Sequence, residues 1–324
     1  HVVAAETSTA TQIEVLRGPA TLFYGSGAIG GVVNVVDERV PTNSTEALDY
    51  LLQYNDVSNE QQASFNLQTG TEQFAFHLDG FWRDSNDYKI AGEADEHDDH
   101  DDHEEDGHEE DDHDEHSEEE HEDEVQSDRL ANTKSKATGG TVGASYLFDK
   151  GFLGFSYGRM DREYGIPGHS HAGEEHEEHE EHDNDLDDDH SEEEGVSAKM
   201  KQDRFQMLSE YNISEGLINK ISSKLAYSDY QHKEIESGEV GTIFTNKSIE
   251  ARTDIFHNSF NDWKGAWTLH YKRSDFKAQG EEAFSPPSTS QMFAVAWLEE
   301  KHFGDFLVQL GVRVESVTLE ADDR

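Results

Sequence analysis

The sequence predicts an all-β fold in which long antiparallel strands form the wall of a transmembrane β-barrel. Three observations point to this fold class. Apolar and polar residues alternate with a period of two, short turns alternate with long polar insertions, and Tyr and Trp lie near strand ends. Such strands present one face to lipid and the other to water.

Residues 73–84 show the alternation most clearly. One face carries the apolar side chains Phe74, Phe76, Leu78 and Trp82, and the other carries His77, Asp79 and Arg83. We predict about eleven strands of this kind. They lie near residues 46–56, 60–70, 73–84, 137–149, 151–163, 200–212, 216–231, 247–260, 263–276, 290–301 and 304–319.

The links between these strands differ in length. Asp149-Lys150 and Ser214 to Gly216 are predicted tight turns, whereas the insertions at about 85–136, 164–199 and 277–289 are long and polar. Short turns at one rim and long loops at the other are typical of an outer-membrane barrel, and Trp82 and Trp263 suit its interfacial girdles. A soluble β-sandwich also alternates, but it does not explain the asymmetry of the links.

Composition supports the same class. The 324 residues include no Cys, carry a net charge of −47 and are 33% hydrophobic. Two acidic tracts, 93–124 and 174–194, hold half of the 72 acidic residues, so the remainder is only mildly acidic. No apolar run is long enough for a membrane helix, which needs about 20 residues. We find no signal peptide, interpret the chain as an internal fragment, and note that the lack of Cys fits an oxidising compartment.

The stretch "YGSGAIGG" places Gly25, Gly27 and Gly30 on the pattern G-x-G-x-x-G. A dinucleotide-binding loop must follow a strand and open a helix, because the helix N-terminus binds the phosphates. Here a short helix beginning at Pro19 is predicted before the glycines, and the Val-rich strand "GVVNVV" follows them. The glycines therefore indicate tight turns and close packing, without a nucleotide.

The segment "IEVLRGPATLFYGSGAIGGVVNVVDERVPT", from Ile13 to Thr42, resembles the C-terminal part of the plug domain of TonB-dependent outer-membrane receptors. The resemblance implies that residues 1–42 end an α/β plug and that residues 43–324 form the first half of a barrel of about 22 strands. It also implies a monomeric barrel in the outer membrane of a Gram-negative bacterium, energised by the TonB-ExbB-ExbD complex. Arg17 and the glycines are expected to fold the plug.

Thirteen of the 19 histidines lie in the two longest insertions, interleaved with acids. They are His97, His100, His103, His108, His113, His116, His121, His169, His171, His176, His179, His182 and His190. Neutral imidazole binds Zn²⁺, Ni²⁺, Cu²⁺ and Fe²⁺, and carboxylates complete such sites. These residues are our candidate metal ligands. The alternative is an acidic loop that is merely solvated or binds Ca²⁺ weakly, but acidity alone does not require histidine.

"GIPGHSH", Gly165 to His171, differs from the repeats because two histidines follow a Pro-Gly turn. It is similar to loops of the zinc-uptake (ZnuD-like) branch of the same receptors, as is "NVVDERVPT". The resemblance makes His169 and His171 the best candidates for ordered ligands. An ordinary turn before a charged loop is the alternative.

Zn²⁺ is the predicted cargo. Without Cys and with only four scattered Met, a Cu⁺ site is disfavoured, while Ni²⁺, Cu²⁺ and iron stay open. Because imidazole takes up a proton near pH 6, metal binding by the tracts should weaken below that pH.

The predicted function is import of a divalent transition metal, free or chelated, without a prosthetic group and without nucleic acid. A siderophore or haem receptor with metal-buffering loops is one alternative, although "FSPPSTSQMF" offers few aromatic or cationic residues for it. A surface adhesin or metal buffer that transports nothing is another. No isolated nucleophile or acid–base set stands out, so an enzyme is not expected.

Overall fold

The computed structural model describes residues 6–28, 30–91, 128–167, 195–280 and 283–322. Within these ranges the fold is all-β, as predicted, and the helical residues belong to two short 3-10 helices. In the part of the chain so described, no helix is long and apolar enough to cross a membrane.

The N-terminal segment, residues 6–44, has the predicted order of strand, short helix, glycine turn and strand. β1 (Gln12–Leu16) pairs antiparallel with β2 (Val32–Val36), and the 3-10 helices Pro19–Tyr24 and Ser26–Ala28 lie between them. Pro19 begins the first helix, where its missing N–H costs nothing. A strand, and no α-helix, follows the glycines, which agrees with the exclusion of a dinucleotide site.

Eleven strands form one antiparallel sheet in which each strand pairs with its neighbours along the chain, apart from the small β6–β7 pair. This confirms the predicted number. The strands are β3 (Ala47–Asn55), β4 (Glu60–Gly70), β5 (Phe74–Ser85), β8 (Ser135–Phe148), β9 (Gly151–Gly165), β10 (Ser197–Asn212), β11 (Ile218–Glu236), β12 (Glu239–His257), β13 (Lys264–Gly280), β14 (Ser288–Phe303) and β15 (Phe306–Ala321).

Several strands extend further than the sequence pattern indicated. β11 and β12 meet at a tight turn at Ser237 and Gly238, both with positive φ, and the predicted insertion at 277–289 shrinks to 281–287. The first insertion contains a small hairpin of β6 (Tyr88–Lys89) and β7 (Arg129–Leu130). Strand ends that project beyond lipid need no apolar face, so period-two hydrophobicity underestimates their length.

The alternation of strand direction sorts the links between the eleven strands into two rims. One, the loop rim, contains the links at 56–59, 86–134, 166–196, 237–238 and 281–287. The other, the turn rim, contains the links at 71–73, 149–150, 213–217, 258–263 and 304–305. Both histidine-rich insertions therefore leave the sheet from the same rim, as predicted.

The sheet has an apolar outer face bounded by two aromatic rows. Near the turn rim, ring contacts run from Phe74 through Tyr146 and Phe148 to Tyr211. Nearer the loop rim, Tyr157 contacts Phe205, and Phe205 contacts Tyr227; these three form the upper aromatic row. The six residue-to-residue steps from Tyr211 back to Phe205 correspond to roughly 20 Å of strand, close to the height of a lipid-facing band.

Candidate functional site

The candidate site is the inner face of the sheet together with the N-terminal segment that packs on it. Side chains on this face are small or polar and are buried; they include Gln62, Ser64, Gln68, His77, Asp79, Thr141, Ser145, Ser156 and Thr268. His77 and Asp79 form one pair of this face, with 2.7 Å between Nε2 and Oδ2. The predicted apolar face of β5 points the other way, since Phe74, Phe76, Leu78 and Trp82 are all exposed.

Glu6 makes the first attachment of the N-terminal segment to the sheet. Its carboxylate accepts hydrogen bonds from Arg83 of β5 at 2.8 Å and from Arg162 of β9 at 3.4 Å. The Glu6 side chain is 5% exposed, so water screens these charges poorly. Removing one partner of such a group leaves an uncompensated charge, which is expensive. We call these three residues the Glu6 clamp.

The 3-10 helix Pro19–Tyr24 makes the second attachment. Arg313 of β15 donates to the Leu22 carbonyl at 3.3 Å, and Arg252 of β12 donates to the Phe23 carbonyl at 3.4 Å. The Arg252 guanidinium also lies 5.0 Å from the centre of the Phe23 ring. These bonds satisfy carbonyls at the end of the helix, which lack partners within it.

The sheet supplies space for this helix and fixes the two arginines. Ala294 and Ala296 on β14 are each 1% exposed, and a Cβ at Gly311 would lie 2.6 Å from a Leu22 methyl group. Asp254 accepts two bonds from Arg252 Nε, and Glu315 accepts one from Arg313 Nε at 2.8 Å. Each guanidinium is thus held by a carboxylate while it binds the helix.

The exit of the segment into β3 makes the third attachment. A Cβ at Gly143 would collide with the Arg39 carbonyl, and a Cβ at Gly154 would lie 2.6 Å from Val40. Only glycine allows the chain to pass so close to β8 and β9. Gln68 of β4 also donates to the Asn43 carbonyl at 2.9 Å.

A cavity of about 670 Å³ lies beside this exit, between residues 42–44 and the inner face near the turn rim. Glu210, Ser222 and Lys224 are among the polar side chains that line it. The inner face therefore offers polar, wettable space next to the segment.

The bases of the two histidine-rich insertions meet at Asn132. Its Nδ2 donates to the carbonyls of Ile166, at 2.9 Å, and Val196, at 2.7 Å. Asn132 belongs to the first insertion, and its two acceptors flank the second. Asp87 stiffens the first base, because its carboxylate accepts bonds from the backbone N–H groups of Thr133 and Lys134.

All thirteen predicted metal ligands, in 97–121 and 169–190, lie outside the described residues. Among the residues that the structure describes, no cluster of three or more His, Cys, Asp or Glu side chains could hold a metal ion. The ligand assignments stay predictions.

Sequence reasoning missed Glu6, Arg162, Arg252 and Arg313, and placed Arg83 on the polar face without a partner. The signal for the four arginines was weak, because each is only a cation at an inner-face position of an alternating strand, and Glu6 gave no signal. The bonds from Arg83 and Arg162 to Glu6 span 77 and 156 residues, and those from Arg252 and Arg313 span 229 and 291. No local pattern pairs residues across such separations.

Comparison with solved structures identifies the fold. The copper transporter OprC superposes with a TM-score of 0.70, over 98% of this chain and 44% of its own, at 11% identity. The FrpB iron transporter of Neisseria meningitidis gives 0.65 over 97% and 49%, at 9% identity. The siderophore receptor PirA of Pseudomonas aeruginosa gives 0.57 over 95% and 44%, at 14% identity. This chain spans less than half the length of each of these structures.

Two short sequence matches agree with the fold. A probable TonB-dependent siderophore receptor PirA of Acinetobacter baumannii is 40% identical over 58 residues, 17% of this chain and 8% of the relative. The ferric enterobactin receptor PirA of Pseudomonas aeruginosa is 66% identical over 32 residues, 10% of this chain and 4% of the relative. No family model matches the chain.

The fold is that of a TonB-dependent outer-membrane receptor. The eleven-stranded sheet matches part of the barrel wall of such receptors, and it lies in the outer membrane of a Gram-negative bacterium. Nothing in the comparisons assigns a zinc-uptake branch, and relatives of this fold are receptors and transporters.

Proposed function

We propose that this chain is part of an outer-membrane importer that captures a transition metal at the loop rim and admits it past a plug. Residues 1–42 are the C-terminal part of that plug, and residues 43–324 are the first half of the wall. The three attachments of the N-terminal segment to the inner face support this division, because they hold residues 6–44 inside the wall. Release of the plug is driven by the TonB-ExbB-ExbD complex.

The observation that carries the proposal is the bond pair made by Asn132. It joins the bases of both histidine-rich insertions at one rim. Two tracts that start side by side can contribute ligands to the same ion, and their acids concentrate cations around the entrance. The ion is captured at the loop rim and then moves along the polar inner face, so import runs from the loop rim towards the turn rim.

Zn²⁺ is the cargo we favour, since histidine and carboxylate without thiolate suit it. Ni²⁺, Cu²⁺ and iron also bind histidine and carboxylate, so the growth experiment described below must distinguish them from Zn²⁺. No resident prosthetic group is required.

A siderophore receptor is the second candidate, and the sequence matches favour it. The two relatives named above carry siderophore names, one of them ferric enterobactin. In that case the metal arrives as a chelate, and the tracts buffer loose metal at the rim.

Growth under metal limitation separates the two candidates. A strain lacking the receptor should grow poorly on zinc-depleted medium, and expression of the full-length receptor should restore growth. A defect confined to iron-depleted medium would replace zinc import with siderophore import. Normal growth under depletion of each metal in turn would contradict import altogether.

The tracts can be tested within the same strain. Replacing all thirteen histidines by Asn keeps length and acidity but removes imidazole, and it should abolish rescue at the lowest zinc concentrations. The matched control replaces an equal number of tract acids by Gln and keeps every histidine. Equal losses in both variants would assign capture to the acids alone.

The pH dependence of metal binding provides a second readout. If imidazole is the ligand, Zn²⁺ affinity of the purified receptor should fall steeply between pH 7.5 and 5, because protons compete near the ordinary histidine pKa of about 6.5. A flat profile over this range would exclude histidine as the ligand.

A further inference from the structure

His270 of β13 lies on the inner face of the sheet between a carboxylate and a guanidinium. Its Nε2 is 2.9 Å from Glu250 Oε1, and its Nδ1 is 3.3 Å from Arg313 Nη2. The same guanidinium donates through Nη1 to the Leu22 carbonyl and so holds the 3-10 helix Pro19–Tyr24. We propose that His270 is a proton switch for this attachment: the neutral ring keeps Arg313 on the helix, and the protonated ring releases it.

The two partners of the ring assign its neutral form. A guanidinium has no acceptor atom, so Arg313 can only donate, and Nδ1 must be the nitrogen without a proton. The single ring proton then lies on Nε2 and is donated to Glu250. The His270 side chain is only 4% exposed, so these two partners decide its hydrogen bonding.

A second proton on the ring is incompatible with this arrangement. It removes the acceptor at Nδ1 and places an imidazolium N–H against a guanidinium N–H, and like charges so close repel strongly where water is scarce. Each cation still keeps a carboxylate, because Glu250 remains beside His270 Nε2 and Glu315 accepts from Arg313 Nε at 2.8 Å. The guanidinium therefore turns away from the ring while it stays bound to Glu315, and the bond to the Leu22 carbonyl is lost.

The wall allows one guanidinium to reach both the ring and the helix. In the register, Ala294 of β14 is opposite His270, and Ala296 is opposite Arg313. Both alanines are buried, and their small side chains leave room for Arg313 to cross β14. A Cβ at Gly25 would lie 3.7 Å from Arg313 Nη2, so the N-terminal segment lies directly against this bond. A change at the ring is therefore passed to the segment without an intermediate.

The charges around the ring set the direction of the switch. The charged side chains around His270 are Arg204 of β10, Glu250, Arg252 and Asp254 of β12, Lys272 of β13, and Arg313 and Glu315 of β15. The N-terminal segment adds Tyr24, whose ring centre lies 5.6 Å from the Arg252 guanidinium. Glu250 stays beside Nε2 in both arrangements, whereas Arg313 stays only beside the neutral ring. The attached arrangement thus holds one proton fewer than the released one, and a fall in pH favours release.

The test follows a nitroxide label on the full-length receptor in lipid vesicles by electron paramagnetic resonance. No metal is added, so the result does not depend on which cargo is imported. Gly27→Cys carries the label, because Gly27 is exposed beside the attached helix and a Cβ there meets nothing within 4 Å. Between pH 7.5 and 5, the ratio of mobile to immobile label should rise by about 10-fold.

His270→Gln is the decisive variant. Its amide can accept from Arg313 and donate to Glu250, and it takes up no proton in this pH range. The label at Gly27→Cys should therefore stay immobile in this variant from pH 7.5 to 5. A constant ratio in the native receptor, or an equal rise in His270→Gln, would overturn the proposal.

Two controls separate the switch from general loosening in acid. A label at Thr45→Cys, an exposed position where the segment enters β3, should keep its mobility over the same pH range. An equal rise there would show that acid loosens the whole segment and would contradict a local switch. His302→Gln removes an exposed histidine of the neighbouring β14 and should leave the response at Gly27→Cys intact. Loss of the response in that variant would assign the proton to His302 and not to His270.

Discussion

Phe76 and His77 are neighbours in β5, yet Phe76 is 47% exposed on the outer face and His77 is 2% exposed on the inner face. The same contrast continues along the sheet. Outer-face residues contact lipid, which is apolar everywhere along this face. Any apolar side chain of suitable size can therefore occupy these positions. Inner-face residues meet a particular chain segment, so each position needs its own partner.

This difference implies different tolerance to mutation. The outer face should accept apolar exchanges and reject charge in its middle. The inner face should be sensitive at a few residues, above all at those that hold the N-terminal segment.

The largest effect is expected at the Glu6 clamp. Glu6→Ala removes the buried carboxylate that Arg83 and Arg162 share, a loss of about 3–5 kcal/mol for a buried pair. Amide hydrogen exchange in β1 and β2 should accelerate accordingly. Glu14→Ala, on the same segment, is the control, because its bonds to Gln12 and Asn34 stay within the segment. Slow exchange in Glu6→Ala would show that the clamp does not hold the segment.

Charge on the outer face should have the next largest effect. Leu78 lies on the outer face of β5 between the exposed aromatic residues Phe74 and Trp82, so Leu78→Arg places a guanidinium in the apolar band at a cost of up to about 2–4 kcal/mol. Refolding yield into lipid vesicles should fall, whereas Leu78→Met should refold normally. Full refolding of the arginine variant would mean that Leu78 does not face lipid.

The difference between the two faces also explains which features could be predicted from the sequence. The outer face follows a local rule, alternation every second residue, and the eleven strands were predicted from it. The Pro19 helix and the glycine turn were likewise predicted from local preferences. The attachments could not be predicted, because Glu6 selects Arg83 and Arg162 only once β5 and β9 are side by side in the sheet.

The extended ends of β11 and β12 show a second limit of prediction from the sequence. Residues 232–246 alternate poorly in hydrophobicity, since both faces there lie near the loop rim. The dipeptide Ser237-Gly238 is typical of a tight turn, and both residues have positive φ. This dipeptide indicates the β11–β12 hairpin more strongly than the hydrophobicity of the residues on either side.

Arg252 tests the second attachment of the N-terminal segment. Arg252→Met weakens that attachment by about 1.5–3 kcal/mol, the value of a charged hydrogen bond, because it removes the bond to the Phe23 carbonyl and the ring contact. It also leaves the buried carboxylate of Asp254 without its guanidinium partner, which adds a cost to the stability of the sheet. Because the chain has no Cys, the movement can be followed with Leu22→Cys/Gly311→Cys, since a Cβ at Gly311 would lie 2.6 Å from the Leu22 methyl group that the first substitution removes. The disulfide should form readily in the native background and more slowly with Arg252→Met. Arg159→Met, on the outer face, should leave its rate unchanged.

The smallest effect on stability is expected in the upper aromatic row, because lipid-facing positions tolerate exchange of one apolar side chain for another. Phe205 lies 4.7 Å from the Tyr157 ring and 6.3 Å from the Tyr227 ring, measured between centroids. Phe205→Leu keeps an apolar side chain against lipid but removes both ring contacts, each worth about 0.5–1.5 kcal/mol beyond area. The free energy of unfolding in detergent should therefore fall by about 1–3 kcal/mol. A shift as large as that of Glu6→Ala would show that specific partners matter on the outer face too, and the contrast between the faces would fail.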